Sequence, residues 1–505
     1  MNLQGKHISI IGLARSGVAL AKLLDDEGAK VLVTDLKKED ELRESLAELQ
    51  GRDIEYVLGG HDERCIEKAD LIVISPVVPL DIPILKSAEA LGIPIVGELE
   101  IAYRLCKAPI VAITGTKGKS TTTTLIGDIL RKVRQTRCSA SVEKALSPLL
   151  PIPYNDVYVA GNIGIALSLI VKDATPEDLV IAEVSSFQLE STNQFHPIVI
   201  VILNISKDHL DRHKTMERYI DAKRRIFFNQ TQKDYIVLNA DDTLVKSFAD
   251  EAMAKPIFFS RRKSEKQLSE EIADFTGTYI ENDYIVAKVS QDIIPICRLS
   301  DIKLLGDHNI ENVLAALAVG IIFVRSKEIH RRPIQDAISN FHGLEHALQF
   351  VSKLNGVTFI DDSKATNVDS VRVALEAIEN DIILIMGGYD KGNDYSPLVE
   401  LVKSKVKILI LLGEAVHEVQ PPNPLWKGEA RSHTSKIRDA LSAYTTTYPA
   451  STMREAVFLA YSKSQKGDYI LLSPANASFD MFTDYRERGN AFREGVKQLA
   501  TNVHK

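Results

Sequence analysis

Short runs of aliphatic and β-branched residues alternate with helix-length amphipathic stretches along most of this chain. Strands separated by helix-length segments join in parallel, because a parallel pair needs a long crossover connection. The prediction is an α/β protein. Its 505 residues exceed what one hydrophobic core organises, and roughly 150 residues per domain gives about three domains. The first block, residues 1–107, opens with the run His7–Ile11, a turn Gly12-Leu13-Ala14-Arg15-Ser16-Gly17 and a helix from Val18 to about Glu27. Further strands are expected at Lys30–Thr34, Leu71–Ile74 and Ile93–Val96, a helix at Glu98–Leu105, and a hinge at Lys107-Ala108-Pro109. The second block, 108–342, carries runs at Ile110–Thr114, Val157–Ala160, Leu179–Glu183, Ile198–Asn204 and Tyr235–Asn239. It then changes to short antiparallel-looking strands between about Phe258 and Leu305, and closes with a helix from His308 to about Val324. The third block, 343–505, has strands at Val357–Asp361, Ile382–Met386, Val406–Leu412 and Tyr469–Ser473. Two polar or proline-rich segments, 134–155 and 419–435, read as loops.

Composition removes several classes. A 45% hydrophobic and 26% charged chain is globular rather than disordered, and a net charge of -7 argues against a nucleic-acid coat or a polybasic membrane anchor. No apolar run approaches the roughly 18 residues that span a bilayer, and the N-terminal apolar stretch is strand-length rather than a signal-peptide core. Cys65, Cys106, Cys138 and Cys297 are scattered without a CxxC pair, so neither a disulfide framework nor a cysteine zinc site is indicated. A cytoplasmic protein with no nucleic-acid or membrane partner is expected.

The strongest chemical signal follows the run Ile110–Thr114: Gly115-Thr116-Lys117-Gly118-Lys119-Ser120-Thr121, then a threonine-rich helix. Glycines let backbone N–H groups wrap phosphate oxygens, the helix N-terminus adds partial positive charge, Lys119 can reach the outer phosphates and Ser120 can ligate Mg²⁺. The full eight-residue phosphate-loop pattern needs glycine where Ile113 stands, so only the shorter GxxGKS form is present. The first turn, 12–17, lacks the middle glycine of a dinucleotide fingerprint. It either holds another phosphate or uridine group, with Asp35 accepting ribose or base hydrogen bonds, or serves tight helix–strand packing alone. Glu183 and Asp208-His209 stand at strand ends, where open α/β sheets bind ligands; each is a capping residue or, beside a phosphate loop, a Mg²⁺ ligand. Lys223 on composition alone is a solvated lysine. Three polar loops, 361–367, 387–391 and 473–480, follow strands of the third block and form either one binding face for a small acidic group or ordinary caps.

Taken together, GTKGKST, AGNIG at Ala160–Gly164, EVSSFQLE at Glu183–Glu190, NISKDHLDRH at Asn204–His213, DAK at Asp221–Lys223, GDHNIEN at Gly306–Asn312 and DDSKATN resemble the Mur ligases. These are the ATP-dependent amide-forming enzymes of peptidoglycan precursor synthesis. The DSKATN, GGYDKG and SPANASFDMF…YRERG segments look like the branch that adds D-glutamate to UDP-N-acetylmuramoyl-L-alanine through an acyl phosphate and a tetrahedral intermediate. The resemblance covers nearly the whole chain. It implies a Rossmann-like UDP-substrate domain (1–107), a central P-loop-type ATPase domain with a parallel sheet plus a small antiparallel sheet (108–342), and a Rossmann-like C-terminal amino-acid domain (343–505). It further implies ATP at Gly115, Thr116, Lys117, Gly118, Lys119, Ser120 and Thr121, with Asn309 and Asn312 at the adenine and Asp362 and Lys364 near the nucleotide. Two Mg²⁺ ions would be held by Ser120, Glu183, His209 and a carbamylated Lys223. Lys119, Glu183, His209 and Lys223 form the implied catalytic set. Ser16, Asp35, Ser75 and Asn162 would meet the UDP substrate; Thr366, Lys391, Ser478 and the Tyr485 backbone would meet D-glutamate. A cytoplasmic monomer serving cell-wall biogenesis, cell shape and cell division is implied.

The sequence departs from the family pattern at Lys117, where the family has asparagine, at Val77, where it has glycine, and at Ala347, where it has arginine. Two alternatives stand beside the D-glutamate reading. One is a folylpolyglutamate synthase-like ligase of the same fold, disfavoured because the third-block loops fit a free amino diacid. The other is a non-catalytic paralogue, disfavoured by retention of Lys119, Glu183, His209 and Lys223.

Overall fold

The computed structural model describes residues 1–137, 154–323, 331–379, 381–390, 392–413 and 434–503. They form two compact units, 1–302 with 308–340, and 303–307 with 341–505.

The first unit contains two sheets. In one, five parallel strands lie in the order Ile54–Leu58, Lys30–Asp35, His7–Ile11, Leu71–Ile74, Ile95–Gly97. The helix Arg15–Asp26 packs Val18, Leu20, Ala21 and Leu24 against this sheet. In the other, nine strands run Asp292–Arg298, Tyr284–Val289, Gly277–Glu281, Lys255–Phe259, Tyr235–Asn239, Val199–Ile202, Ile110–Thr114, Leu179–Glu183, Val157–Gly161. The expected antiparallel excursion is present, but it continues the parallel sheet: Gly277–Glu281 joins Lys255–Phe259 in parallel, and the last two strands then pair antiparallel. Pro256 sits in the part of its strand that Gly277–Glu281 leaves unpaired, so its missing N–H removes no bond from that ladder.

Helices of the first block also join the core of the second sheet. Leu23, Leu99 and Ala102 from the first block cluster with Ile110, Ala112, Val180 and Phe195 of the second. Glu100 adds a polar fastening: its fully buried carboxylate accepts from the backbone N–H of Asn193, Gln194 and Phe195, and from Arg104 Nε. The helix Asp307–Phe323, one residue off its expected start, is buried over most of its length.

The second unit holds a six-stranded sheet in the order Gln349–Leu354, Val357–Asp361, Tyr469–Ala475, Ile382–Gly387, Val406–Leu412, Thr446–Ala450. All pairs are parallel except the first. Apolar clusters cover both of its faces, as parallel strands require.

Four strands escaped the sequence reading: Lys255–Phe259, Ile54–Leu58, Gln349–Leu354 and Thr446–Ala450. The first is interior but opens with the exposed Lys255 and Pro256; the other three are sheet edges, where one side lacks a neighbour and the apolar pattern weakens, and Pro449 in the last tolerates only such a place. Of the expected loop 134–155, residues 134–137 continue the helix Lys119–Arg137 and 138–153 lie outside the described residues. Most of the expected loop 419–435 lies outside them too, though Ser435 already begins the helix Ser435–Leu441.

Candidate active site

Ile110–Thr114 is buried throughout and delivers the chain into the turn 115–118, after which the helix Lys119–Arg137 begins. At Gly118, φ is +84° and a Cβ would stand 2.2 Å from Asn312 Oδ1, so only glycine fits. The turn is braced by Asn204: Thr116 N donates to Asn204 O at 2.9 Å, Lys117 N donates to Asn204 Oδ1 at 2.9 Å, and Asn204 Nδ2 donates to Lys117 O at 3.2 Å. The Thr116 hydroxyl lies 3.1 Å from the Tyr219 hydroxyl and accepts from Ser206 N at 2.9 Å. Lys119 folds back on the turn, with Nζ donating to Gly115 O (3.0 Å) and Thr116 O (2.9 Å). Ser120 and Thr121 are half-buried in the first helical turn. Asn312 accepts from Thr122 Oγ1 (3.2 Å) and donates to Asn309 Oδ1 (2.9 Å), so both asparagines stand beside the turn.

Glu183 lies level with Ile113 on the adjacent strand. It is buried; Oε1 accepts from Asn162 Nδ2 at 2.8 Å, while Oε2 is buried without a hydrogen-bond partner in the described structure. An orphaned carboxylate oxygen is costly in a protein interior. Beside a phosphate-type turn it is the donor a hard divalent cation takes, so the residues fit Mg²⁺. Among the described residues no three His, Cys, Asp or Glu side chains converge closely enough to hold a metal; a cation here would need the Ser120 hydroxyl, phosphate oxygens or a modified lysine as well.

His209 occupies a left-handed conformation (φ 52°), a strain that non-glycine residues sustain only when their surroundings impose it. Its half-exposed ring packs 4.9 Å from that of Phe187. The solvated reading of Lys223 is overturned. The side chain is 1% exposed, and Nζ donates to Gly115 O at 2.8 Å and Thr114 Oγ1 at 3.3 Å, 4.9 Å from the centre of the Tyr219 ring. Burial, and secondarily the Lys119 ammonium, hold its amine well below the ordinary lysine pKa. Its helix Met216–Arg224 simply turns that face inward.

At the first turn, Asp35 Oδ2 accepts from Leu13 N (2.7 Å) and Oδ1 from Lys37 N (2.9 Å). The buried Ser75 donates to Gly12 O (2.9 Å), and Ser16 is half-buried. A Cβ at Gly17 would meet Gly12 O at 2.0 Å, so this glycine serves close helix–strand packing whatever else the turn holds.

In the second unit the three polar loops come together. Tyr389 N donates to Ala477 O (2.8 Å), and Tyr395 Oη and Asn393 Nδ2 both reach Asn476 Oδ1 (2.7 and 2.8 Å). Sequence reasoning missed the residue that joins the remaining pair. Arg488, fully buried, donates to Ser363 Oγ, Ser363 O and Asn476 O at 2.9–3.0 Å, and Ser363 Oγ donates to Tyr485 O at 2.8 Å. Ser478 is buried, Thr366 exposed and Lys364 half-buried beside them; Lys391 lies outside the described residues. Asp362 accepts from Ser473 Oγ (2.7 Å) and Leu348 N (3.0 Å), and burial pushes its carboxyl up to about 7. Where arginine is missing at Ala347, its neighbour His346 is buried with Nδ1 2.7 Å from Asp361 Oδ2, and Arg493 Nε donates to the same oxygen at 3.0 Å.

Three family models match this chain consecutively: the MurD-like N-terminal domain of Mur ligases over residues 6–97, the Mur ligase middle domain over 113–320, and the Mur ligase glutamate ligase domain over 348–476. The chain belongs to the Mur ligase family. It is similar to the UDP-N-acetylmuramoylalanine–D-glutamate ligase of Clostridioides difficile (strain 630), 39% identical across 99% of this chain and 100% of the relative. The ligase of the same name from Thermoanaerobacter sp. (strain X514) is 40% identical across 99% and 100%. Among solved structures, UDP-N-acetylmuramate-alanine ligase MurC from Thermotoga maritima shares the fold at a TM-score of 0.53 and 19% identity, covering 98% of this chain and 99% of that one. MurF from the same organism, in complex with ADP, does so at 0.52 and 13%, covering 93% and 96%. For this Mur ligase the three matched segments fall on its three sheets. No helix among the described residues is long and apolar enough to cross a membrane.

Proposed function

We propose that this Mur ligase joins D-glutamate to UDP-N-acetylmuramoyl-L-alanine in an ATP-dependent, ADP-producing reaction of peptidoglycan precursor synthesis in the cytoplasm. The observation that carries the reading is the buried, unpartnered Glu183 Oε2 beside the 115–121 turn, in a chain whose relatives named for this reaction match it from end to end. We take residues 1–107, 108–342 and 343–505 as its three domains, a division that the presence of three separate sheets supports.

The reaction begins from a poor electrophile. The L-alanyl carboxylate takes the γ-phosphoryl group of ATP; an O–P bond forms, the bridging P–O bond breaks and ADP leaves. The D-glutamate amine then attacks the acyl carbonyl, and the tetrahedral adduct expels phosphate and loses the amine proton to leave the amide. The chain's task is to hold charge and to position the reactants. The 115–121 turn cradles the phosphates, and Lys119 exchanges its two carbonyl acceptors for phosphate oxygens, a stronger charge-assisted pairing. Asn309 and Asn312 face the adenine, and Asp362 and Lys364 complete the nucleotide set. Ser120, Glu183, His209 and a carbamylated Lys223 would hold Mg²⁺, which neutralises phosphoryl charge. Ser16, Asp35, Ser75 and Asn162 bind the UDP substrate, while Thr366, Lys391, Ser478 and the Tyr485 backbone bind D-glutamate.

That last assignment has a direct test. The Ser478→Ala enzyme should show a KM for D-glutamate raised about tenfold, since its loss leaves a charged substrate oxygen without a donor. The KM for ATP should stay within about twofold. Equal rises in both constants would count against it.

A further inference from the structure

Next to His209, the short helix Leu210–His213 is pinned by side chains that the chemistry above does not use. Arg212 is mostly buried; Nη1 donates to Val77 O (3.0 Å), and Nη2 donates to Val78 O (2.9 Å) and Glu190 Oε2 (2.9 Å). The other Glu190 oxygen lies 3.1 Å from His213 Nδ1, and His213 Nε2 lies 2.9 Å from Ser186 Oγ. Phe187 fills the middle of the cluster, its ring centre 5.1 Å from the Arg212 guanidinium and 4.9 Å from the His209 ring.

On its far side the same guanidinium touches the first sheet. Val77 and Val78 follow the strand Leu71–Ile74, Val78 N donates to Ser75 O (3.0 Å), and Ser75 Oγ donates to Gly12 O (2.9 Å). Moving the 77–78 turn therefore moves the 12–17 turn. A second arginine bridges the same two sheets from the opposite direction: Arg15 Nη2, within that first turn, donates to Gly164 O at 2.7 Å, in the loop that carries Asn162.

We infer that Arg212 is a positioning residue that sets the span between the nucleotide-binding turn of the first sheet and the reaction centre of the second. The inference rests on the function proposed above, because only a substrate reaching from one sheet to the other requires a fixed span. The physical grounds are the guanidinium fork, which can serve two carbonyls and a carboxylate at once, and Glu190, which neutralises it where it is buried. Misplacing bound reactants by about 1 Å can cost on the order of 100-fold in rate.

The test compares Arg212→Ala and Arg212→Lys with wild type, using steady-state kinetics and hydrogen exchange over residues 71–80. Arg212→Ala should raise the KM for UDP-N-acetylmuramoyl-L-alanine about tenfold or more while the KM for ATP stays within about twofold, and exchange at 75–80 should quicken about tenfold. Lysine keeps the charge and the stem but lacks the fork, so Arg212→Lys should remain close to the alanine variant; should alanine impair folding, the lysine variant carries the same readouts. Recovery by lysine, equal rises in both KM values, or unchanged exchange at 75–80 would each overturn the inference. A wild-type enzyme that does not ligate D-glutamate would instead defeat the proposed function, and exchange at 75–80 would still decide whether Arg212 ties the two turns.

Discussion

Replacing Lys119 with alanine is expected to lower ATP-dependent ligation by about 100-fold or more. Lys119 is the cation of the Gly118-Lys119-Ser120 turn, and its Nζ already lies on the carbonyls of Gly115 and Thr116, within the loop that would surround the phosphates. A clamp on a transferring phosphoryl group acts where negative charge builds up in the transition state, so its loss falls on kcat as well as on nucleotide binding. Folding should be little affected, because Lys119 is only half-buried and lies in the first turn of its helix. Phosphate release by the purified variant, compared with wild type at saturating substrates, checks this. Near-wild-type turnover would remove Lys119 from the proposed machinery.

A comparable loss is expected for Lys223→Ala, for a different reason. An ammonium beside bound cations would be repelled, but burial lowers this lysine's pKa well below the ordinary range, so the neutral amine is more accessible than on a surface lysine. A neutral amine can add to dissolved CO₂: the N–C bond forms, one N–H proton goes to solvent, and a carbamate with one negative charge results. Such a group would give the Glu183 region a second anionic ligand. The alanine variant should melt close to the wild type, be nearly inactive, and regain part of its activity when a short carboxylic acid is added to the buffer. Wild-type protein grown with labelled bicarbonate should show a carbamate carbon signal by NMR that Lys223→Ala lacks. Full activity in the variant would end the proposal.

What the sequence made legible was whatever has a local signature. The phosphate-type turn shows as strand, glycines, Lys-Ser and helix in one segment, and the structure assembles these in that order. Most interior strands announce themselves as apolar runs. Three of the six edge strands do not, and Ile54–Leu58 carries Glu55 exposed in mid-strand. The burial of Lys223 was invisible because its neighbours in the chain, Asp221 and Arg224, are polar, and the contacts that enclose it come from Thr114 and Gly115, over 100 positions away. Arg488 illustrates the same limit: it reads as one more charge in Tyr-Arg-Glu-Arg, yet it locks Ser363, 125 positions earlier, to the Asn476 loop. Arg212 and Glu190 lay inside two of the quoted motifs, but only the fold shows that one guanidinium also reaches Val77 and Val78. Contacts across such separations leave no periodicity to read.

The most direct measurement is phosphate release, with product mass, from ATP and UDP-N-acetylmuramoyl-L-alanine in the presence of D-glutamate, L-glutamate, D-aspartate or D-alanine in turn. Phosphate release dependent on D-glutamate, one glutamyl residue gained by the nucleotide sugar, and kcat/KM values for the other three lower by about 100-fold or more are predicted, because charged donors left unpaired reject near-analogues. Equal use of D-alanine, or no D-glutamate-dependent product from folded wild-type enzyme, would contradict the account.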